Sequence, residues 1–266
     1  MTTSSRLDLE LVRRGLARSR RQAQDLVTAG RVSVGGHPAT RPARAVPTGA
    51  AIDVSGDVGA AYASRAGAKL ATALESFAGD GLDVAGRRAL DAGASTGGFT
   101  DVLLRAGVTE VVAVDVGHGQ FADALRDDPR VRVHERTNVR DLTPDAIGGP
   151  VALVVADLSF ISLTLVLPAL VGCCEPGADL VLLVKPQFEV GRRALRSTGV
   201  VRSPRLRREA VDGVVAAAHE LDLGVGGLVG SDLPGVRGNV EYLLWVRGGP
   251  DSVPGDLVSR VVGASA

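Results

Sequence analysis

The sequence predicts an α/β protein: a doubly wound, mostly parallel sheet of about seven strands over roughly its last three quarters, preceded by a small α+β unit. Three observations predict it. Short apolar runs recur at 89–90, 111–114, 131–133, 151–155 and 180–184, as strands buried on both faces do. Stretches of helical character lie between them, clearest at 100–105, 163–171 and 204–221. Acidic residues or a lysine follow successive runs, at Asp91, Asp115, Asp157 and Lys185, where an open α/β sheet binds its ligands. Two further runs, near 224–229 and 240–246, read as a hairpin closing one edge.

The first unit has a different texture. Leu7, Leu9, Leu11, Val12 and Leu16 recur at helical spacing, Gly15 ends that helix, and Ser19 caps a second one running through Leu26 and Val27 to Gly30. Short β segments follow at 32–34 and 52–54, with Gly35-Gly36 as a turn. A Gly/Ala-rich stretch then reads as a linker. The expected organisation is a domain over 1–58, a linker over 59–66 and a second domain over 67–266.

Composition narrows the function classes. The apolar fraction of 45% is ample for a core, and a net charge of zero argues against a uniformly basic RNA-coating protein. Charge is nevertheless segregated: residues 1–60 hold nine arginines against five acids. The adjacent Cys173 and Cys174 build no disulfide framework and read as core thiols. No apolar run reaches the ~18 residues of a membrane span, and no signal-like segment opens the chain, so a soluble cytoplasmic protein is expected. Only Lys69 and Lys185 among 30 basic residues are lysine. An amine can lose its proton inside a protein and a guanidinium effectively cannot, so both lysines are candidates for proton chemistry.

Asp91-Ala-Gly-Ala-Ser-Thr-Gly-Gly-Phe-Thr100 follows the first strand and opens a helix. Gly93, Ala94, Ser95, Thr96, Gly97 and Gly98 form a close-approach loop whose amides can meet an anionic group. The spacing is not the Gly-x-Gly-x-x-Gly of dehydrogenases. Asp115, about 20 residues on, suits a ribose diol. Asn138 and Asp141 after the third strand are candidates for an adenine edge, or for a helix cap, and Asp157 ends the fourth. This pattern resembles class I methyltransferases that use S-adenosylmethionine, a Rossmann-like fold.

The remaining polar residues sharpen the resemblance. Lys69, Asp157, Lys185 and Glu241, in this order, resemble the tetrad of FtsJ-type ribose 2′-O-methyltransferases. Arg6-Leu-Asp, Ser19-Arg-Arg-Gln-Ala23, Ser64-Arg65, Asp157-Leu-Ser-Phe-Ile-Ser162, Lys185-Pro-Gln-Phe-Glu189 and Pro234-Gly-x-x-Gly-Asn239 look like the TlyA family along nearly the whole chain. The resemblance implies an S4-type RNA-binding domain joined to an FtsJ-like methyltransferase, with S-adenosylmethionine as cofactor, cytidine riboses of ribosomal RNA as substrate, ribosomal subunits as partners and no metal. It implies RNA contacts from Arg6, Arg18, Arg20 and Arg65. His118 and Ala124 stand where the family has aromatics, which implies a looser adenosine pocket.

The chemistry agrees with those residue types. A ribose hydroxyl needs its proton removed as it attacks, and a neutral amine within hydrogen-bond reach can remove it. Lys185 is the expected base. Lys69 would orient the hydroxyl and act on Lys185 electrostatically, and Asp157 and Glu241 would hold the two amines. The first domain has no aromatic residue before Tyr62, which favours recognition of folded RNA by shape and charge over base stacking. The competing readings are a haemolysin-like membrane-active protein and a catalytically idle ribosome-assembly factor.

Overall fold

The computed structural model describes residues 4–14, 16–17, 20–55, 62–191, 195 and 199–265. It divides into two compact units, Met1–Ser64 and Arg65–Ala266. Gly15, Arg18, Ser19 and positions 59–61 of the expected linker lie outside the described residues.

In the first unit, helices Leu7–Arg13 and Arg20–Thr28 pack together beside strand Ser4–Arg6, which pairs antiparallel with Ala45–Pro47. Val32–Val34 is the centre of a three-stranded antiparallel sheet between His37–Pro38 and Ile52–Val54. The hairpin turn Gly35-Gly36 has φ of 60° and 79°. A two-residue turn with both central residues left-handed matches strand twist, and glycine reaches it without strain. Leu7, Leu11, Leu26, Val27, Val32 and Val46 are buried in the core of this unit. Leu9, part of the helical apolar pattern, is 43% exposed and stays out of that core.

The second unit is built on seven strands: β1 (Arg88–Ala92), β2 (Glu110–Val114), β3 (Val131–His134), β4 (Val151–Ala156), β5 (Cys174–Val184), β6 (Leu223–Gly230) and β7 (Tyr242–Gly248). Their order in the sheet is 3-2-1-4-5-7-6. Strands 1 to 5 run parallel, while β7 pairs antiparallel with both β5 and β6. The sheet is therefore doubly wound, mostly parallel and closed on one side by a hairpin. The order reverses between β1 and β4, and at such a switch point the carboxyl ends of the strands leave a crevice.

Among the described residues, seven α-helices flank this sheet: α1 (Arg65–Ala78), α2 (Gly98–Arg105), α3 (Asp123–Arg126), α4 (Leu167–Gly172), α5 (Pro186–Glu189), α6 (Pro204–His219) and α7 (Leu257–Ala264). The helix expected over 163–171 is broken in two, a 3-10 turn Leu163–Leu165 and then α4. Pro168 is the reason: it sits in the first turn of α4, has no N–H to donate, and its ring disfavours a continuing helix before it. Ser203 caps α6 as the sequence pattern requires, its side chain accepting from the Leu206 amide.

The amino end of the sheet is tied by one buried carboxylate. Asp179 accepts from Trp245 Nε1 at 2.7 Å and from Arg87 Nη1 at 2.5 Å. Beside it the β6 glycines make room for rings: a Cβ on Gly226 would lie 2.6 Å from the Trp245 indole, and one on Gly227 2.7 Å from the Phe77 ring. Overpacking of this kind costs about 1–3 kcal/mol. Gly227→Val is expected to lower the urea-unfolding free energy by about that amount while leaving the slope against denaturant unchanged.

Candidate active site

Two motifs meet over the ends of β4 and β5. Leu182 pairs with Ala156, so Asp157 and Lys185 leave the sheet as near neighbours. Lys185 Nζ lies 2.5 Å from Asp157 Oδ1 and donates to Ser159 Oγ at 3.0 Å. The side chains are only 11% and 18% exposed. The rest of the two motifs zip together beside this pair. The rings of Phe160 and Phe188 sit 5.2 Å apart, Ser162 Oγ donates to Glu189 Oε2 at 2.5 Å, and the Leu163 amide donates to Glu189 Oε1 at 3.0 Å. Burial pushes the Glu189 carboxyl above its ordinary range, against those two bonds. Phe160 holds a left-handed φ of 66° and is 91% exposed.

The other two polar residues form a second pair. Lys69, in the first turns of α1, donates to Glu241 Oε2 at 2.5 Å. Glu241, just before β7, is 2% exposed and also accepts from Gln187 Nε2 at 3.2 Å. Gln187 stands two residues after Lys185, so the helix following one ion pair supplies a donor to the other. Gly235 closes this corner: a Cβ there would lie 2.0 Å from Glu241 Oε1. The structure thus brings Lys69, Asp157, Lys185 and Glu241 to one end of one sheet, as Lys69–Glu241 and Lys185–Asp157.

The glycine loop lies next to them. Asp91 is fully buried; its Oδ2 accepts from Thr100 Oγ1 at 2.6 Å, and its Oδ1 has no partner. Burial pushes its carboxyl up to about 7, with the charges of Asp157 and Asp115 adding to the shift. Gly93 and Gly97 have φ of 88° and 90°. A Cβ on Gly93 would lie 2.5 Å from the Asp157 carbonyl oxygen, and one on Gly97 2.5 Å from Leu125 Cδ1, so both glycines allow the loop to fold against its own chain. Ala94 and Gly98 are buried, Ser95 is exposed at a φ of 48°, and Thr96 lies between. Asp115 accepts from the Ser95 amide at 2.9 Å and the Gly117 amide at 2.7 Å. A small pocket beside it is walled by Ala94, Ser95, His118, Phe121, Val133 and Glu135.

Sequence reasoning gives no role to Ser159, Gln187, Glu189 and Gly235, although they lie within its motifs, and passes over Phe121. Phe121 supplies the aromatic wall that positions 118 and 124 lack. Asn138 is held as a cap, its Oδ1 accepting from the Arg140 amide at 3.1 Å, and Asp141 is an exposed residue ending that turn. In the first unit Arg6 and Arg20 both donate to the buried Asp8, at 2.8 and 3.0 Å, and Arg6 holds its carboxyl well below the usual range. Arg18 lies outside the described residues. Arg65 is exposed at the start of α1.

A 3-2-1-4-5-7-6 sheet with an acid near the end of β1, acids after β2 and β4 and a lysine after β5 defines a Rossmann-like methyltransferase. The FtsJ-like methyltransferase family matches residues 62–248, and the S4 domain matches residues 5–52. The chain belongs to the TlyA family, in which these two parts are joined. It is 58% identical to the 16S/23S rRNA (cytidine-2′-O)-methyltransferase TlyA of Mycobacterium tuberculosis, over 93% of this chain and 91% of that one. It is 36% identical to Hemolysin A of Brachyspira hyodysenteriae, over 90% and 98% of the two chains. The solved structure of a hemolysin-named protein from Streptococcus thermophilus superposes with a TM-score of 0.76 at 36% identity, covering 100% of this chain and 96% of that one. Among the described residues no helix is long and apolar enough to cross a membrane.

Asp91 makes the site's pH behaviour testable. Its carboxyl is raised in the folded state, so the fold holds a proton that the unfolded chain releases. Its contribution is therefore present below the ordinary carboxylate range and lost as pH rises towards about 7. Between those limits the unfolding free energy of Asp91→Asn, measured in urea without ligand, is expected to fall less with rising pH than that of the parent protein.

Proposed function

We propose that this protein transfers a methyl group from S-adenosylmethionine to the 2′-hydroxyl of cytidine in ribosomal RNA. The observation that carries this reading is the Lys185–Asp157 pair beside the Lys69–Glu241 pair, at the switch point of a methyltransferase sheet. The cofactor's chemistry fits the residues present. The unpartnered Oδ1 of Asp91 is a buried acceptor awaiting a donor, which an amino group would supply. Asp115 keeps lone pairs beyond its two amide bonds for a ribose diol, and the Phe121 pocket offers an apolar wall. Asp91, Gly93, Ala94, Ser95, Thr96, Gly97, Gly98, Asp115 and Asp157 would hold it, with Asn138 at the adenine side. When bound, S-adenosylmethionine supplies an electrophilic methyl group on a sulfonium.

The chain's own residues handle the proton and the geometry. Lys185 Nζ, as a neutral amine, takes the 2′-hydroxyl proton. Asp157 holds that nitrogen in place and stabilises the ammonium that results. Lys69, kept in position by Glu241, places a cation where the alkoxide charge develops. Gln187 and Gly235 fix Glu241, and so fix Lys69 indirectly. The low exposure of all four side chains keeps competing water from the transfer.

The S4 unit would dock structured ribosomal RNA. Asp8 orders Arg6 and Arg20 into a fork, so their remaining donors meet phosphates already in place. Arg18 and the exposed Arg65 would extend that contact. A lytic role finds no spanning helix among the described residues, and an idle assembly factor would have no use for two paired lysines at the switch point.

Mapping 2′-O-methyl sites by primer extension, on ribosomal subunits incubated with protein and S-adenosylmethionine, tests the reading; no new stop on either subunit overturns it. Lys185→Arg is expected to abolish those stops while subunit binding persists, because a guanidinium accepts no proton at working pH. Arg65→Ala is expected to weaken subunit binding at low salt and to reduce the slope of log affinity against log salt by about 1, leaving the melting temperature unchanged.

A further inference from the structure

Among the described residues, Lys185 Nζ has one carboxylate and one hydroxyl within hydrogen-bond reach, with the Phe188 ring 5.9 Å away. Asp157 Oδ1 lies at 2.5 Å and Ser159 Oγ at 3.0 Å. Taking Lys185 as the proton acceptor, as proposed above, its nitrogen is tetrahedral and carries the Cε bond, two N–H bonds and one lone pair. If both N–H bonds are taken by fixed acceptors, three of the four directions are filled and the lone pair has a single direction left. With Asp157 alone, the nitrogen turns about its C–N bond and the lone pair is spread over more than one direction.

We propose that Ser159 is a positioning residue for methyl transfer, the second acceptor that aims the Lys185 lone pair at the hydroxyl to be deprotonated. Its location suits the role. Ser159 is exposed while Lys185 is buried, so it stands on the side from which a nucleotide arrives. The loop carrying it is held on both flanks. The Asp157 amide donates to the Ala92 carbonyl oxygen at 3.0 Å on one side, and Glu189 binds Ser162 and Leu163 on the other. The adjoining Phe160 rests on Phe188, so the hydroxyl is supported from α5, the helix that follows Lys185 itself. The Ser159 hydrogen is left over when its oxygen accepts from Lys185, and it can donate to an oxygen of the incoming ribose. No proton is lost or gained at Ser159; the ribose proton ends on Lys185.

The test compares the parent protein with Ser159→Ala and Ser159→Thr on purified ribosomal subunits with S-adenosylmethionine, reading kcat, KM for the subunit, subunit affinity and melting temperature. Ser159→Ala is expected to lower kcat about tenfold or more, with KM and affinity within about twofold of the parent and the melting temperature unchanged, since orientation and not binding is lost. Ser159→Thr, which keeps the hydroxyl, is expected to restore most of kcat. Should the alanine variant melt early, Ser159→Cys carries the test, because a weak sulfur acceptor in the same place should give the same loss of kcat. A parental kcat in the alanine variant, a loss carried by KM alone, or a threonine variant as slow as alanine overturns the proposal. A parent protein that methylates neither subunit overturns the underlying reading as well, and the parental control separates that outcome from failure of Ser159 alone.

Discussion

The contact between Lys185 and Asp157 is the one on which the rest of this end of the molecule depends. It joins the ends of two adjacent parallel strands whose last residues are buried, and both side chains are largely shielded from water. Desolvating an ammonium and a carboxylate is costly, and removing one partner of such a pair strands the other. The loops around it share the load. Ser159 takes a second bond from the amine, Phe160 and Phe188 cover the flank, and Glu189 fastens the far end of the loop. The Lys69–Glu241 pair instead joins a helix to the start of β7, with Gln187, from the helix after Lys185, donating to Glu241.

Much of this was legible because strand ends are legible. Runs such as 151–155 and 180–184 can only be interior strands, and the first polar residue after each must surface at the same edge. The sequence alone therefore puts Asp157 and Lys185 side by side, and Asp115 on the same edge. The residues that were missed act sideways, between loops. Ser159 and Gln187 sit two positions from recognised residues, yet nothing in their spacing says that one bonds Lys185 and the other Glu241. Gly235 is informative only because Glu241 fills the space of its missing side chain. The single helix expected over 163–171 ignored Pro168, and the apolar stripe that included Leu9 ignored how few residues of a short helix face its core.

The arginine-rich first unit shows the same contrast between charge that is counted and charge that is placed. Asp8 and Glu10 are both fully buried, and four arginines converge on them. Arg14 goes further and donates to the carbonyl oxygens of Thr48 and Ala50, which makes it a brace between a helix and a turn. Counting cations shows only that residues 1–60 carry an excess of arginine. The contacts sort those among the described residues into a brace, Arg14, and an ordered fork, Arg6 and Arg20 on Asp8. Asp8 and Glu10 thereby turn flexible side chains into fixed ones, which lowers the entropy lost on docking.

The tryptophan at the opposite end of the sheet has a practical use. Trp245 is the only one in the chain; it is fully buried, bonded to Asp179, beside the Phe77 ring and under the Arg247 guanidinium. Its emission should change when β5, β6 and β7 separate, and the first unit contributes no indole to obscure it. Intrinsic fluorescence thus watches one of the two units, while far-ultraviolet dichroism sees both. Any gap between the two melting curves would measure how independently the first unit comes undone.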